Sequence, residues 1–363
     1  MKAAVSAQER SVPTAGSPTA GSRAPGRDLP AAKPRRLAAG TLLVMTVLLA
    51  ACLASLAFGA RPVGIGALLE AFTAFDPANG DHAVVHSRIP RTVTGLLAGA
   101  ALGLAGAAMQ GVARNPLADP GILGVNAGAS LAVVTGIYAF GITQLSGYIW
   151  LAFLGAAAAA AVVYTIASLG REGATPVKLA LAGAALSAGL GSLLHAVLVT
   201  SRDTLESFRF WQVGSLSGRD WDAVGQVLPF LLAGLLVTGC TGRLLNNLAL
   251  GDDAARGLGQ QVALSRAVSA LGIVVLCGSA TALAGPIAFV GLVIPHVVRA
   301  FTGPDYRRIL PLSALLAPAL LLGADTLGRV IALPGEVQAG IMTAAVGAPV
   351  FIWLVRSRKA AGL

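Results

Sequence analysis

Ten long apolar runs, almost free of charge and most of them close to the length of a bilayer crossing, restrict this chain to one kind of solvent. They fall at about 37–59, 92–112, 122–140, 148–169, 179–200, 224–242, 264–284, 287–301, 309–328 and 335–355. A hydrocarbon core about 30 Å thick takes roughly 20 helical residues per crossing, and within it a helix satisfies every backbone hydrogen bond from its own segment. The expected fold class is therefore all-α: a polytopic membrane protein with about ten transmembrane helices. Composition agrees, because 55% hydrophobic and 12% charged residues over 363 positions cannot cover a water-soluble globule. The runs also consume the length, leaving no room for a large soluble domain. The run at 287–301 is short for a crossing and carries Pro295, which predicts a tilted, broken or locally extended helix.

Residues 1–36 are rich in Ala, Pro, Ser, Gly and Arg, contain no aromatic side chain, and are expected as a disordered cytoplasmic tail. A short tail is expected at 358–363, so that the ten-helix domain occupies 37–357. The first run is too long, and its flank of Lys33, Arg35 and Arg36 too extended, for a cleaved leader, which predicts a retained span. Lys and Arg accumulate in cytoplasmic loops; with the N-terminus inside, nineteen basic residues lie in inner segments and seven in outer ones, or twelve against seven without the tail. Both termini are thus expected in the cytoplasm and the chain in the cytoplasmic (inner) membrane, surrounded by lipid. The same bias explains the net charge of +10 without nucleic acid as a partner, since the basic residues are scattered through short loops. Cys52, Cys240 and Cys277 stand far apart, with no CxxC and no His at ligand spacing, so neither a disulfide nor a metal site is expected. Gly95, Gly99 and Gly103 recur every four residues in the second run, a smooth stripe for close helix approach.

Six segments then follow in order. They are Arg88-Ile89-Pro90-Arg91 ahead of the second run; Met109-Gln110 with Asn115-Pro116-Leu117-Ala118-Asp119-Pro120-Gly121; Phe210-Trp211-Gln212-Val213-Gly214-Ser215-Leu216; Leu250-Gly251-Asp252-Asp253-Ala254-Ala255-Arg256-Gly257-Leu258-Gly259; Phe289-Val290-Gly291-Leu292-Val293-Ile294-Pro295-His296-Val297-Val298-Arg299; and Gly347-Ala348-Pro349-Val350-Phe351. In this order and at these separations they resemble the FecCD type of permease subunit, found in ATP-binding-cassette importers for iron-siderophores, haem and cobalamin, over most of residues 60–357. Tyr306, where that family usually has His, and Gln338, where it usually has Pro, depart from the pattern.

The resemblance implies a type II importer permease: two permease chains, identical or sister, around a central path, with two ATPase subunits inside and an extracytoplasmic substrate-binding protein outside. ATP and magnesium would be held by the ATPase, with no cofactor, metal or catalytic residue on this chain. Within the connector 243–263, Leu250, Gly251, Asp252, Asp253, Arg256, Leu258 and Gly259 would form the coupling element that seats in the ATPase. The residues themselves read as a compact polar helix between glycines, with Asp252 or Asp253 as candidate N-cap. Arg88, Arg91 and Arg329 fall on the outer side against the charge trend, and the resemblance makes them the docking residues for acidic side chains of the binding protein. Guanidinium suits that task, being always charged and able to grip a carboxylate with two bonds. Arg61 and Arg219, on the same side, read instead as arginines snorkelling to the interface. Thr175 and Pro176 match the position of the cytoplasmic gate, though a proline turn between helices also explains them.

ATP hydrolysis on this chain is excluded: Lys2, Lys33, Lys178 and Lys359 follow Met, Ala, Val and Arg, so there is no Gly-Lys pair and no phosphate-binding loop of the Walker type. An ion-coupled secondary transporter usually keeps ionisable residues deep in the membrane; here Asp325 is the one candidate, and a local pair with Arg329 accounts for it. The favoured function is import of an iron(III)-siderophore by alternating access, with cobalamin or haem as alternative cargo and a secondary transporter as the alternative class. No HExxH or GxSxG pattern falls on a run to support an intramembrane enzyme.

Overall fold

The structure, a computed structural model, describes residues 34–142, 144–169 and 174–360. The expected N-terminal tail, as far as residue 33, lies outside them, as do residues 361–363 of the expected C-terminal tail. All regular structure among the described residues is helical. In chain order the helices are α1 (Pro34–Ala57), α2 (Ile65–Thr73), α3 (Gly80–Val112), α4 (Val125–Phe140), α5 (Leu145–Ser168), α6 (Pro176–Thr200), α7 (Arg202–Gln212), α8 (Trp221–Cys240), α9 (Gly242–Ala249), α10 (Asp252–Gly257), α11 (Val262–Ala284), α12 (Val290–Thr302), α13 (Tyr306–Ile331) and α14 (Ala339–Ala360). Each of the ten apolar runs falls on one of these. Seven, α1, α3, α5, α6, α8, α11 and α13, are long and apolar enough to cross a bilayer, and α4, α12 and α14 are shorter apolar helices. The remaining four, α2, α7, α9 and α10, are connectors of 6 to 11 residues, too short to register as spanning runs.

Two elements differ from the sequence reading. The second run predicted a helix from residue 92, but α3 starts at Gly80, where Asn79 accepts a bond from the Asp81 N–H. Arg88 and Arg91 therefore sit inside a 33-residue helix rather than ahead of it, and Pro90 is accommodated within it. The run at 287–301 becomes the 13-residue α12, about 20 Å long at 1.5 Å per residue and so short of a full crossing. Phe289, with φ of 68°, turns the preceding non-helical stretch into its first turn.

Helix α3 runs through the middle of the bundle, packed by α13, α11, α12 and α8. The glycine stripe explains how close α13 comes: a Cβ on Gly99 would stand 2.5 Å from Pro318 Cα, and one on Gly103 would meet Ala317 and Ser313. The apolar core is continuous through α3, α11 and α13, while a small satellite of Ala57, Val63, Leu68, Ala71 and Val85 seats α2 against α3. By contrast α1 and α6 bury few residues within the chain, so most of their apolar surface faces outward.

Candidate functional site

The connectors α1–α2, α7–α8 and α13–α14 meet at one end of the bundle. Here Arg88 and Arg91 project from α3 and Arg329 from the last turn of α13. A helix ends with carbonyls that have no partner of their own and with the negative pole of its dipole, and α1 ends here. Arg88 donates from Nη1 to Leu56 O (2.8 Å) and Ala57 O (3.1 Å) and from Nη2 to Arg61 O (2.7 Å). Arg329 donates from Nη2 to Ser55 O at 3.0 Å. Two of the three sequence-selected arginines thus close the C-terminus of α1, and both are buried. Arg91 grips Asp325 with two bonds, Nε to Oδ2 at 3.0 Å and Nη2 to Oδ1 at 2.8 Å, and reaches Glu336 Oε2 from Nη1 at 2.8 Å. Arg329 Nε lies 3.2 Å from Asp325 Oδ2, so the local pair expected from the sequence exists, but Arg91 is the stronger partner.

These side chains shape an open cavity of about 510 Å3 lined by Arg61, Arg88, Arg91, Arg219, Arg329 and Glu336, among others. Five arginines outnumber the three carboxylates paired with them, Asp81, Asp325 and Glu336, and make it an electropositive mouth. Burial alone would raise the Glu336 carboxyl, but the charge and bond of Arg91, helped by Ser217 and Arg329, hold it below its ordinary value. Arg61 pairs with Asp81 at 2.7 Å and is 62% exposed, consistent with an interfacial residue. Arg219 is not: it is half-buried in the wall of the cavity, and burial pulls its pKa down to about 10 despite nearby Asp220, leaving it cationic at neutral pH.

The opposite end carries α9 and α10. The break between them needs Gly251, whose φ of 110° is closed to residues with a Cβ, and α10 leaves through Gly259 at φ 78°. The expected aspartate cap is corrected here: Gly251 is the N-cap, no side chain caps the helix, and Asp252 is its first residue. The Asp252 carboxylate is instead drawn sideways, accepting from Arg266 Nη2 at 2.9 Å and pairing with Arg114. Asp253 and Arg256 pair with each other at 2.9 Å on the exposed side. Ala255 faces inward, while Leu250 and Leu258 are 66% and 63% exposed. Thr175 caps α6, its Oγ1 accepting from Lys178 N at 3.4 Å, and Pro176 is the first residue of that helix. Arg266 also reaches this corner, donating from Nη1 to Ala174 O at 3.4 Å.

The profile of the FecCD transport family matches residues 47–357. The chain belongs to the FecCD transport family. It is 45% identical over 329 residues to the ferric enterobactin transport system permease protein FepD of Escherichia coli K12, covering 90% of this chain and 97% of that protein. To the Fe(3+)-citrate import system permease protein YfmD of Bacillus subtilis it is 41% identical over 305 residues, covering 84% and 90%. Among solved structures, an inward-facing metal-chelate type ABC transporter superposes with a TM-score of 0.76 at 27% identity, covering 89% of this chain and 99% of that one. This FecCD chain is therefore the membrane-spanning permease of an ATP-binding-cassette importer, not an enzyme, and ATP is hydrolysed on a separate subunit. A second permease and a binding protein complete such an assembly.

Arg88, Arg91 and Arg329 are brought together by the fold, and so are the corner at Thr175 and Pro176 and residues 250–259, through Arg266. Sequence reasoning missed Arg266 and Arg114, which brace α10, and read Arg219 as an arginine snorkelling to the interface. The signal for Arg266 was present as an arginine inside the apolar run beginning at 264.

Proposed function

We propose that this permease moves an iron(III)-siderophore into the cytoplasm by alternating access between two permease chains, identical or sister. The arrangement that carries the reading is two-ended: an arginine-lined mouth at one end, and at the other a short helix that presents Leu250 and Leu258 outward. The names of the FepD and YfmD relatives support a ferric chelate as cargo. The mouth faces outward and receives acidic side chains of the substrate-binding protein. The exposed Arg61 makes direct contact, while Arg88, Arg91 and Arg329 supply charge and hold the rim, Arg88 and Arg329 through α1 and Arg91 through Asp325 and Glu336. Segment 250–259 faces the cytoplasm with both termini and seats in one of two ATPase subunits, which hold ATP and magnesium. Arg266 joins Asp252 in that segment to Ala174, next to the gate at Thr175 and Pro176, so movement of α10 reaches the gate through one side chain. The outward apolar surface of α6 fits a second permease chain.

Reconstitution with the partner ATPase and binding protein tests this. ATP-dependent accumulation of a ferric siderophore is expected, with association of the binding protein slowing steeply as salt rises, since arginines at the mouth steer an acidic partner. Uptake by the permease alone under a proton or sodium gradient overturns it.

A further inference from the structure

A second cavity, of about 590 Å3, adjoins the arginine-lined mouth and shares Ser217, Gly218, Arg219 and Glu336 with it. Its character is different. Tyr148 from α5 and Phe210 and Trp211 from α7 give it aromatic walls, with Ser207, Ser215 and Gln338 as polar neighbours. The wall is built on fixed backbone: Ser215 N donates to Ala284 O at 2.8 Å, and Gly340 N donates to Gly214 O at 3.0 Å.

Hydrogen-bond accounting shows what this wall lacks. Buried donors are nearly always satisfied, yet Trp211, 4% exposed, has no acceptor for Nε1 among the described residues. Arg219 carries five N–H donors; its Nε is likewise buried without an acceptor, and its one bond among the described residues, Nη2 to Ser215 O, is long at 3.4 Å. Neither neighbouring carboxylate is hydrogen-bonded to Arg219 among the described residues, although the charge of Asp220 acts on it. Glu336 is taken by Arg91 at 2.8 Å, and Asp220 Oδ1 accepts from Ala223 N at 2.8 Å to cap α8. The pocket is thus left with a cation whose donors are largely unfilled and a spare indole donor between aromatic faces, which suits an aromatic ligand bearing oxyanions.

We propose that this pocket is a chelate subsite at the mouth, receiving one catecholate arm of a ferric siderophore. Arg219 and the Trp211 N–H take the catecholate oxygens, and Tyr148 and Phe210 flank the ring. The subsite rests on the import reading above, and it lies where the chelate leaves the docking cavity. It selects for anionic aromatic chelates over neutral hydroxamates of similar size.

The test uses the full transport complex in nanodiscs and proteoliposomes, with radio-iron ferric enterobactin as the catecholate probe and ferrichrome as the neutral hydroxamate. Arg219→Gln is expected to raise the Kd and uptake KM for ferric enterobactin about tenfold, and Trp211→Phe about threefold, with ferrichrome changed far less. Arg219→Lys is expected to recover most of the loss. Equal losses for both chelates, no loss for either, or no binding of ferric enterobactin by the unaltered complex overturns the subsite. So does weakening confined to association of the binding protein, which assigns the pocket to a carboxylate of that partner. If ATP-driven uptake persists while the selectivity is absent, the subsite alone fails; if no ferric chelate is accumulated at all, the import reading fails with it.

Discussion

Asp325 has no solvent exposure, and both its oxygens are taken by Arg91, with Arg329 at 3.2 Å from one of them. Removing one member of a buried ionic group leaves the others uncompensated, at a cost of about 3–5 kcal/mol. Asp325→Asn is therefore expected to lower stability by about that much in thermal unfolding of the purified protein. Arg61→Ala, which breaks only the exposed pair with Asp81, is expected to change it by less than about 1 kcal/mol; equal shifts for the two variants contradict the burial argument. Gly99 offers an independent check on packing. A methyl group there would overlap the Pro318 backbone, so Gly99→Ala is expected to cost about 1–3 kcal/mol by forcing α3 and α13 apart, with a matching fall in melting temperature. At this scale the sequence exposed the arginines themselves, because a charge beside an apolar run stands out. Their uses were not legible: Arg88 bonds carbonyls 31 and 32 residues away and Arg91 bonds carboxylates 234 and 245 away, and nothing in local spacing encodes such pairings.

Among the elements, α10 is too short to hold itself and depends on its bracing, since nucleating a helix costs more than one turn returns. The exposed Leu250 and Leu258 flank it. Leu258→Glu is expected to abolish co-purification of the ATPase while leaving the melting temperature of the permease unchanged; retained co-purification removes this surface from the coupling role. Helix α9 is pinned differently, by Asn246 Nδ2 donating to Asp305 Oδ1 at 2.7 Å and Tyr306 N donating to Asn246 Oδ1 at 2.8 Å. Partial burial tends to raise Asp305, but the Asn246 bond, the Arg307 N–H and the nearby charges of Arg308 and Arg307 outweigh it and hold the carboxyl below its ordinary value. A carboxyl depressed in the folded state contributes stability above its unfolded pKa of about 4, and that contribution is lost as pH falls through the folded value. Asp305→Asn is expected to flatten the acid side of a stability-against-pH profile and leave its neutral-to-alkaline part parallel to the unmodified protein. The long apolar helices were legible because twenty apolar residues in a row have one favourable solvent. The start of α3 was not, since its first dozen residues are polar enough to read as a loop and are held helical by the Asn79 cap and by tertiary bonds from Arg88 and Arg91.

For the whole molecule, the unequal burial of its helices sets the next level of assembly. Helix α3 is enclosed, whereas among the described residues α6 packs mainly against α4, α5, α7 and the 3-10 turn at Pro120–Leu123, keeping most of its apolar surface outward. Cross-linking through single cysteines on α6, in a variant lacking Cys52, Cys240 and Cys277, is expected to join two permease chains, while cysteines on α3 are expected not to; cross-links confined to α1 displace the proposed chain contact. The ionic cluster at the mouth has a further consequence, in time rather than in space. Arg91 waits 234 residues for Asp325, and at synthesis rates of about 5–20 residues per second that is roughly 12–47 s. Throughout that interval the nascent chain already holds α3, with the acceptors of Arg88 made but Asp325 and Glu336, the partners of Arg91, still to come. The ionic cluster is therefore among the last parts of the fold to close: a chain truncated before α13 lacks the carboxylate that takes two of the Arg91 bonds in the folded protein.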